Sequence, residues 1–306
     1  MKRICFLLLA FLAYTGCDKV TAPEPDEHAV PEVVIQAIVE QFTEATNLTL
    51  VTLQTDAFYA ADFWVQSKHY QAIINQDGSF QALNLERPIA SLPLNGLDFV
   101  THQFQNPELH ALYAQLDPNT EALQGYLVKA TEAGQGYLIK LDTLGARISI
   151  MEEPISKWWR LEVSGISALP QNIQSVLLGQ AGYEFQDANR FIDSNQVSSW
   201  QAAIRSTNFL TTYQFDKQGN VINSVSEDLL GLDAPNSTFL ELDVTSLPTV
   251  MSDFLNARFA GWEYVRGILI LNNNDAYGFS VIIKVHQTIY YTRFDITGSF
   301  TGATRG

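Results

Sequence analysis

The chain has 306 residues, 46% of them hydrophobic, with 33 acidic and 18 basic residues. This length and composition suffice for one or two sizeable hydrophobic cores. A formal charge of −15 with no cluster of Lys and Arg argues against nucleic-acid binding, because such a surface repels phosphate groups. Solubility accounts for the acidity, and a basic partner is compatible with it but not required.

The first sixteen residues have the pattern of a secretory signal peptide. A basic start at Lys2 and Arg3 precedes an apolar run over residues 4–13 and then two small residues. The apolar run is too short to span a bilayer as a helix of the mature protein. We therefore predict that residues 1–16 are removed as a lipoprotein signal peptide.

Cys17 ends the stretch Ala-Tyr-Thr-Gly-Cys, which resembles a bacterial lipobox, where the cysteine becomes the acylated first residue of the mature protein. Tyr14 departs from that pattern, and the alternative is a plain secretory signal with a cysteine there by chance. Because Cys5 is lost with the signal, the mature chain keeps one cysteine and has no internal disulfide. Acylation, with palmitate among the chains, would occupy this thiol and hold the protein at a membrane.

Residues 17–29 are predicted to form the lipidated cysteine and a flexible tether. The segment DKVTAPEPDEHA has two prolines, four acids and no apolar periodicity, which is typical of a solvated chain. The predicted location is the bacterial cell envelope, with the outer membrane favoured and the lipid anchor as the only membrane attachment. Whether the protein faces the periplasm or the outside stays open.

Four short segments share the order Asn or Asp, two variable residues, Gly and soon an apolar residue. They are NQDGSF (75–80), DTLGARI (142–148), DKQGNVI (216–222) and DITGSF (295–300). Asx side chains open turns, and Gly supplies the positive φ that a short hairpin loop needs. A calcium loop needs alternating oxygen ligands and a distal Glu, which none of the four has, so the pattern predicts turns.

Upstream of each turn lies a segment with helical spacing of apolar residues. These segments are 29–42, 91–104, 168–181 and 246–259, and they align without a gap. Each places Pro at the predicted first helical position, where its missing N–H costs little. Further strand-like runs separate helix and turn. The pattern predicts an α+β fold of four tandem repeats, each with one helix packed on a three- to four-stranded antiparallel sheet.

The helix opening with Leu-Pro or Val-Pro, a Phe eleven residues on, and the final hairpin resemble the PepSY-like, β-lactamase-inhibitor-like (BLIP-like) domain of bacterial envelope proteins. The resemblance covers most of residues 29–302, and the third copy departs from it with Ala181 in place of Phe. In that family two units lie side by side and their sheets form a concave surface that grips a protein. The resemblance therefore implies two paired domains, with repeats 1 and 2 in residues 30–153 and repeats 3 and 4 in residues 154–306.

The sequence contains no recognisable catalytic or metal-binding motif. Its five histidines have no second ligand at metal spacing, and neither a nucleophile elbow nor a phosphate loop occurs. Adjacent Glu152 and Glu153 would lie on opposite faces of a strand, unlike a glycosidase pair. We therefore expect no enzyme activity, no metal and no cofactor.

Five aromatic residues are the candidate ligand contacts. They are Trp158, Trp159, Tyr137, Tyr213 and Tyr290. Trp and Tyr give large contact areas at interfaces, and the alternative for each of them is packing within or between repeats. The leading prediction is a non-enzymatic envelope lipoprotein whose concave sheets bind a protein or another envelope ligand. The alternatives are an inhibitor of a secreted or envelope hydrolase and, from another class, an enzyme acting on envelope polymers.

Overall fold

The fold is described from a computed structural model of the chain. The structure describes residues 30–153, 158–193, 197–206, 208–232 and 236–306. The predicted signal peptide, the predicted lipidation site Cys17 and the predicted tether up to residue 29 lie outside the described residues. Among the helices within those residues, none combines the length and the apolar character needed to cross a membrane.

Four α-helices in the described part of the chain begin directly after the four prolines of the sequence pattern. They are α1 (Glu32–Gln41), α2 (Leu94–Gln103), α3 (Gln171–Leu178) and α4 (Thr249–Arg258). Each proline occupies the N-cap with an extended ψ, as in Pro31 at 139°, and not the first helical position that we expected. The proline ring still fixes φ just before the helix starts.

Each helix is followed by four antiparallel strands, and we call each such set a unit. The first unit joins α1 to β1 (Ala45–Gln54), β2 (Phe58–Val65), β3 (Lys68–Asn75) and β4 (Phe80–Arg87). The second unit joins α2 to β5 (Glu108–Leu116), β6 (Leu123–Glu132), β7 (Gln135–Leu141) and β8 (Arg147–Glu153).

The last two units are each preceded by one additional strand. In the third, β9 (Trp158–Glu162) precedes α3, which is followed by β10 (Tyr183–Asp193), β11 (Ser198–Ser206), β12 (Phe209–Phe215) and β13 (Val221–Asp228). In the fourth, β14 (Ser237–Leu242) precedes α4, which is followed by β15 (Trp262–Asn272), β16 (Asp275–Val285), β17 (Thr288–Asp295) and β18 (Phe300–Arg305). The expected mixture of helix and antiparallel sheet is confirmed.

The four predicted turns are confirmed as hairpin turns between the last two strands of each unit. The turn glycines have φ between +79° and +85°, and each donates its backbone N–H to the carbonyl of the Asn or Asp that opens the turn. Each glycine also lies against the start of its own helix. A Cβ on Gly145 would be 2.7 Å from the nitrogen of Gly96, and one on Gly298 would be 2.5 Å from Val250. Glycine is therefore required by both conformation and space.

The strands form two sheets with different memberships from those we expected. The first, second and fourth units share a thirteen-stranded sheet, in which β8 and β18 meet as a parallel pair at Arg147 and Thr304. The third unit forms a five-stranded sheet with β9 at one edge. The third and fourth units, expected to pair, therefore share no sheet in the described residues, because β18 joins the second unit instead.

Each helix covers one face of its own sheet segment. Val34 and Ile38 of α1 pack on Ile74 of β3, and Met251 and Leu255 of α4 pack on strands β16 to β18. Neighbouring residues along a strand point to opposite faces, so alternate residues are left for the other side of the sheet.

That other side is largely covered by the five-stranded sheet. Ile73 of β3 packs with Leu161 and Ile192, and Leu127 of β6 packs beneath Phe191. Further along, Ile282 of β16 belongs to a cluster that also contains residues of β11 and β12. The concave face that we expected to be open for a ligand is therefore mostly an internal sheet-to-sheet interface.

A buried charge network lies in this interface. The Nζ of Lys140 is 3.1 Å from Oδ1 of Asp187 and also contacts the carboxylate of Glu162, and the Lys140 side chain is 14% exposed. Ser149 and Asn189 both donate to the second oxygen of Asp187. Burial alone would lower the pKa of Lys140, but the two carboxylates raise it above its usual value, so the lysine stays charged.

Arg147 ties three units together at the β8–β18 junction. Its side chain is 2% exposed, its NH1 lies 2.6 Å from a Glu227 oxygen of β13, and its guanidinium stacks on the Phe99 ring of α2 at 5.2 Å. Burial would raise the pKa of Glu227, but Arg147 and then Arg293 lower it below its usual value. Glu227 therefore stays ionised and holds the third unit to the junction.

A second contact joins the second and fourth units. The hydroxyl of Tyr290 donates to Oδ2 of Asp142 at 2.9 Å, while Oδ1 accepts the backbone N–H groups of Leu144 and Ala146. Ala146 itself packs in the α4 core. Burial raises the pKa of Asp142, although these hydrogen bonds oppose the shift.

Replacing Lys140 tests the contribution of the buried network. Lys140→Met leaves Asp187 and Glu162 as buried carboxylates without their ammonium partner, and we expect a loss of about 3 kcal/mol in the free energy of unfolding. The matched control is Lys129→Met on the neighbouring strand, whose partner is Glu153 and whose side chain is 36% exposed. Its expected cost is below about 1 kcal/mol. Urea unfolding measures both, and equal losses would contradict the assignment.

Asp142 provides a second test. Asp142→Ala removes an acceptor from Tyr290 and from two backbone N–H groups, and we expect a loss of about 2 kcal/mol in the free energy of unfolding. Asp142→Asn keeps an amide oxygen that can accept from the two backbone N–H groups, so its free energy of unfolding should fall less than that of Asp142→Ala. The equivalent turn residue Asp216 has no tyrosine partner among the described residues, so Asp216→Ala should also lose less. Thermal and urea unfolding of the three variants would show the order.

Candidate functional site

One part of the thirteen-stranded sheet face remains open beside the covering sheet. It consists of Trp64 and Asp62 of β2, His69 and Gln71 of β3, and Glu86 of β4, and we call it the Trp64 patch. Trp64 is 39% exposed, whereas Ala60, two residues before Asp62 on the same face, is buried under the covering sheet. The patch is thus the uncovered end of an otherwise internal face.

The β2–β3 hairpin positions the two rings of the patch. Val65 pairs with Lys68 across a two-residue loop, and Gln66 of that loop has a positive φ of 55°. Trp64 and His69 are therefore direct cross-strand partners, and their rings stack with centroids 4.8 Å apart and planes 17° apart. Cross-strand ring pairs of this type stabilise a hairpin and hold both side chains in place.

Two carboxylates hold the imidazole of His69. Its Nδ1 lies 2.5 Å from Oε2 of Glu86 and its Nε2 lies 2.8 Å from Oδ1 of Asp62, whose other oxygen accepts from Gln71 at 3.2 Å. Burial alone would lower the pKa of His69, but the hydrogen bonds and charges of Glu86 and Asp62 raise it above 6.5. The ring therefore favours the imidazolium form, which donates from both nitrogens.

This arrangement suits binding better than catalysis. Both ring nitrogens of His69 are engaged, so neither is free to take a proton from a substrate. Within the described residues, no three His, Cys, Asp or Glu side chains converge to hold a metal ion. The patch offers an exposed aromatic edge with two flanking carboxylates, which is a combination that fits a cationic, partly apolar partner.

The residues predicted as ligand contacts lie elsewhere. Tyr290 is buried in the α4 core, which corrects its assignment as a surface contact, because Asp142 binds its hydroxyl there. Tyr137 packs its ring 5.0 Å from Phe104 below α2. Tyr213 packs toward α3, and Trp159 packs in the interface between the sheets. The Trp158 side chain lies outside the described part of the structure.

The role of His69 and Glu86 was missed from the sequence. The stretch Trp-Val-Gln-Ser-Lys-His contains a two-residue hairpin loop without Gly, Asn or Asp, so it lacks the usual turn signal. A hairpin placed there would have made Trp64 and His69 cross-strand partners. The alternation of residues in β2 and β3 was the available signal.

Comparison with solved structures finds similarity to proteins of Bacteroides. A BLIP-like protein of Bacteroides fragilis shares 14% identity over 40% of this chain and 86% of its own, with a TM-score of 0.34. A DUF2874 family protein of Bacteroides ovatus shares 15% identity over 40% and 88%, with a TM-score of 0.35. A predicted periplasmic protein of Bacteroides eggerthii shares 15% over 40% and 89%, also with a TM-score of 0.35.

With identities of 14–15% and TM-scores of 0.34–0.35, these similarities carry no argument about this chain. No protein-family profile matches the chain, and no curated protein matches it.

The protonation of His69 is directly measurable. We expect NMR titration to give His69 a pKa above 6.5, and Glu86→Gln to bring that pKa down, because one of its two carboxylate partners is lost. The stability contributed by this cluster is full below pH 6.5 and is lost as the pH rises through the folded-state pKa. Glu184→Gln, which changes a carboxylate of the third unit, is the control. A pKa of His69 unaffected by Glu86→Gln would contradict the geometry.

Proposed function

We propose that this chain is a non-enzymatic envelope protein that binds a protein partner through the Trp64 patch. The observation that carries the proposal is the exposed Trp64 ring, stacked on His69 and flanked by Asp62 and Glu86, on a face that the five-stranded sheet largely covers. A ring held in place loses little entropy on binding, and aromatic residues dominate the energetics of protein interfaces.

Charge favours a basic partner. The described patch has two carboxylates around one imidazolium, and the whole chain carries a formal charge of −15. An acidic rim speeds the approach of a basic protein, and a Lys or Arg side chain can pack against the exposed part of the Trp64 ring. Binding would act by occluding the surface of the partner.

Inhibition of a secreted or envelope hydrolase is the more specific form of the same function. It is supported by the resemblance of the sequence to the β-lactamase-inhibitor-like domain and rests on fold, which does not carry function by itself. The enzyme alternative has less support, since His69 has both nitrogens engaged and its partners are carboxylates that favour the charged ring.

We also propose that the four units are copies of one domain. Support comes from the identical turns and from β-bulges at equivalent places. In every unit the final hairpin has a bulged residue three positions after the turn glycine, at Gln81, Ile148, Ile222 and Thr301. An irregularity repeated at one position is expected of copies, because bulges are structural features that related chains retain.

Lipid attachment at Cys17 and residence in the outer membrane remain part of this proposal. They are supported by the lipobox-like sequence and by the composition of residues 17–29, which predicts a solvated tether. Mass measurement of Cys17 in the protein purified from membranes is the direct test, and an unmodified thiol would remove the anchor.

Trp64→Ala tests the proposed surface. The chain from Asp18 onward, which includes every described residue, is used to capture partners from envelope extract, with quantitative mass spectrometry as the readout. We expect the variant to recover at least about tenfold less of the main partner, as truncation of a central interface aromatic does.

The matched control is Tyr277→Ala, since Tyr277 is an aromatic residue of β16 that is 60% exposed and distant from the patch in the sheet order. Tyr277→Ala should recover as much of the main partner as the unchanged chain does. Equal capture by the unchanged chain and by Trp64→Ala would overturn the proposal. Hydrolase assays on the recovered partner then separate inhibition from simple binding.

A further inference from the structure

A second opening lies where the covering sheet crosses β3 to β8, and we call it the amide cleft. It has a volume of about 820 Å³, within the range of small-molecule sites. Six amide side chains line it: Asn75, Gln81, Asn84, Gln115, Gln124 and Gln186. They come from the first three units, so the cleft exists only because the third unit packs on the other two.

Three of these glutamines are the extra residues of β-bulges. Gln81 is skipped between the pairs Ile73–Ala82 and Ile74–Phe80, and Gln124 is skipped between the β5–β6 pairs made by Gln115 and Leu116. Gln186 is skipped in the same way in the β10–β11 ladder. A bulge turns its side chain away from the regular pleat, and here three separate bulges bring Gln to one cleft.

Three of these amides take no part in the side-chain hydrogen bonds of the described residues. The side chains of Asn84, Gln124 and Gln186 make no hydrogen bond to any other residue that the structure describes, although all three line the cleft. Each amide carries a carbonyl acceptor and an NH₂ with two donors. The cleft therefore presents paired donors and acceptors that water or a ligand must satisfy.

The charges around the cleft are balanced. Its lining contains Lys140 and Arg305 as cations and Asp117 and Glu162 as anions. At the floor, the ammonium of Lys140 is already bound to the carboxylates of Glu162 and Asp187. The four formal charges of the lining sum to zero, which favours a neutral polar molecule over a strongly charged one.

We propose that the amide cleft binds a neutral oligosaccharide. Adjacent sugar hydroxyls each donate and accept a hydrogen bond, which matches the paired groups of Gln124, Gln186 and Asn84. The polar lining disfavours apolar ligands, and the volume accommodates several sugar rings. This site is separate from the Trp64 patch and does not depend on a protein partner.

The test measures sugar binding to the chain from Asp18 onward. Maltotriose, cellotriose, xylotriose and chitotriose are the probes, with trigalacturonate as the charged comparison, and saturation-transfer NMR and calorimetry are the readouts. We expect at least one neutral trisaccharide to bind at millimolar or lower concentration, and more tightly than trigalacturonate. No binding by any neutral probe, or tighter binding of trigalacturonate, overturns the proposal.

Two variants locate the binding. Gln124→Ala and Gln186→Ala each remove one amide without removing a hydrogen bond of the fold, and each should weaken binding by about fivefold. Gln218→Ala, which removes an exposed glutamine at the turn of the third unit, is the matched control and should bind as the unchanged chain does. Binding unaffected by both cleft variants, with native circular dichroism, places the sugar elsewhere and overturns the site.

Discussion

The structure depends on one interaction, the pair of salt bridges that Lys140 makes with Asp187 and Glu162. The three charges come from β7, β10 and β9, so they form a complete set only when the two sheets meet in one register. A shifted register would bury carboxylates without their ammonium, at a cost that apolar contacts alone could not offset. The network therefore fixes where the five-stranded sheet lies and, with it, which part of the other sheet stays open.

The local structure could be read from the sequence, but the arrangement of the sheets could not. Prolines and spaced apolar residues marked the four helices, and Asx and Gly marked the hairpins, because both signals act within a few residues. The covering sheet depends on contacts such as Phe191 on Leu127, far apart in the chain. A signal did exist, since runs such as YGFSVIIKV are apolar on both faces, which is typical of strands buried on both sides. The Trp64 patch was not predicted because the two-residue loop at Gln66 contains no Gly, Asn or Asp to indicate a turn.

The turn glycines explain how four similar units can differ so much elsewhere. Each packs against the first part of its helix, and at Gly145 and Gly298 the approach is so close that a side chain would not fit. This contact locks the helix to the last hairpin of its unit and leaves the other strands free to vary. Within the last hairpin itself the bulge keeps its position while its side chain varies, as Gln81, Ile148, Ile222 and Thr301 show.

A polar row explains why the sheet face opens where it does. Asp62, Gln71, Asn84 and Gln115 are direct neighbours across β2 to β5, so they form a line on the face that the covering sheet approaches. Covering the line with apolar residues such as Ile192 would leave amides and a carboxylate without partners, which costs more than the packing returns. The apolar residues of the covering sheet pack on the neighbouring row at Ala60 and Ile73, and the sheet meets the polar row at Gln115 through a polar partner, the carboxylate of Glu162. The cost of burying polar groups without partners therefore decides where the openings at the two ends of the polar row lie. The same cost keeps such groups out of the hydrophobic core.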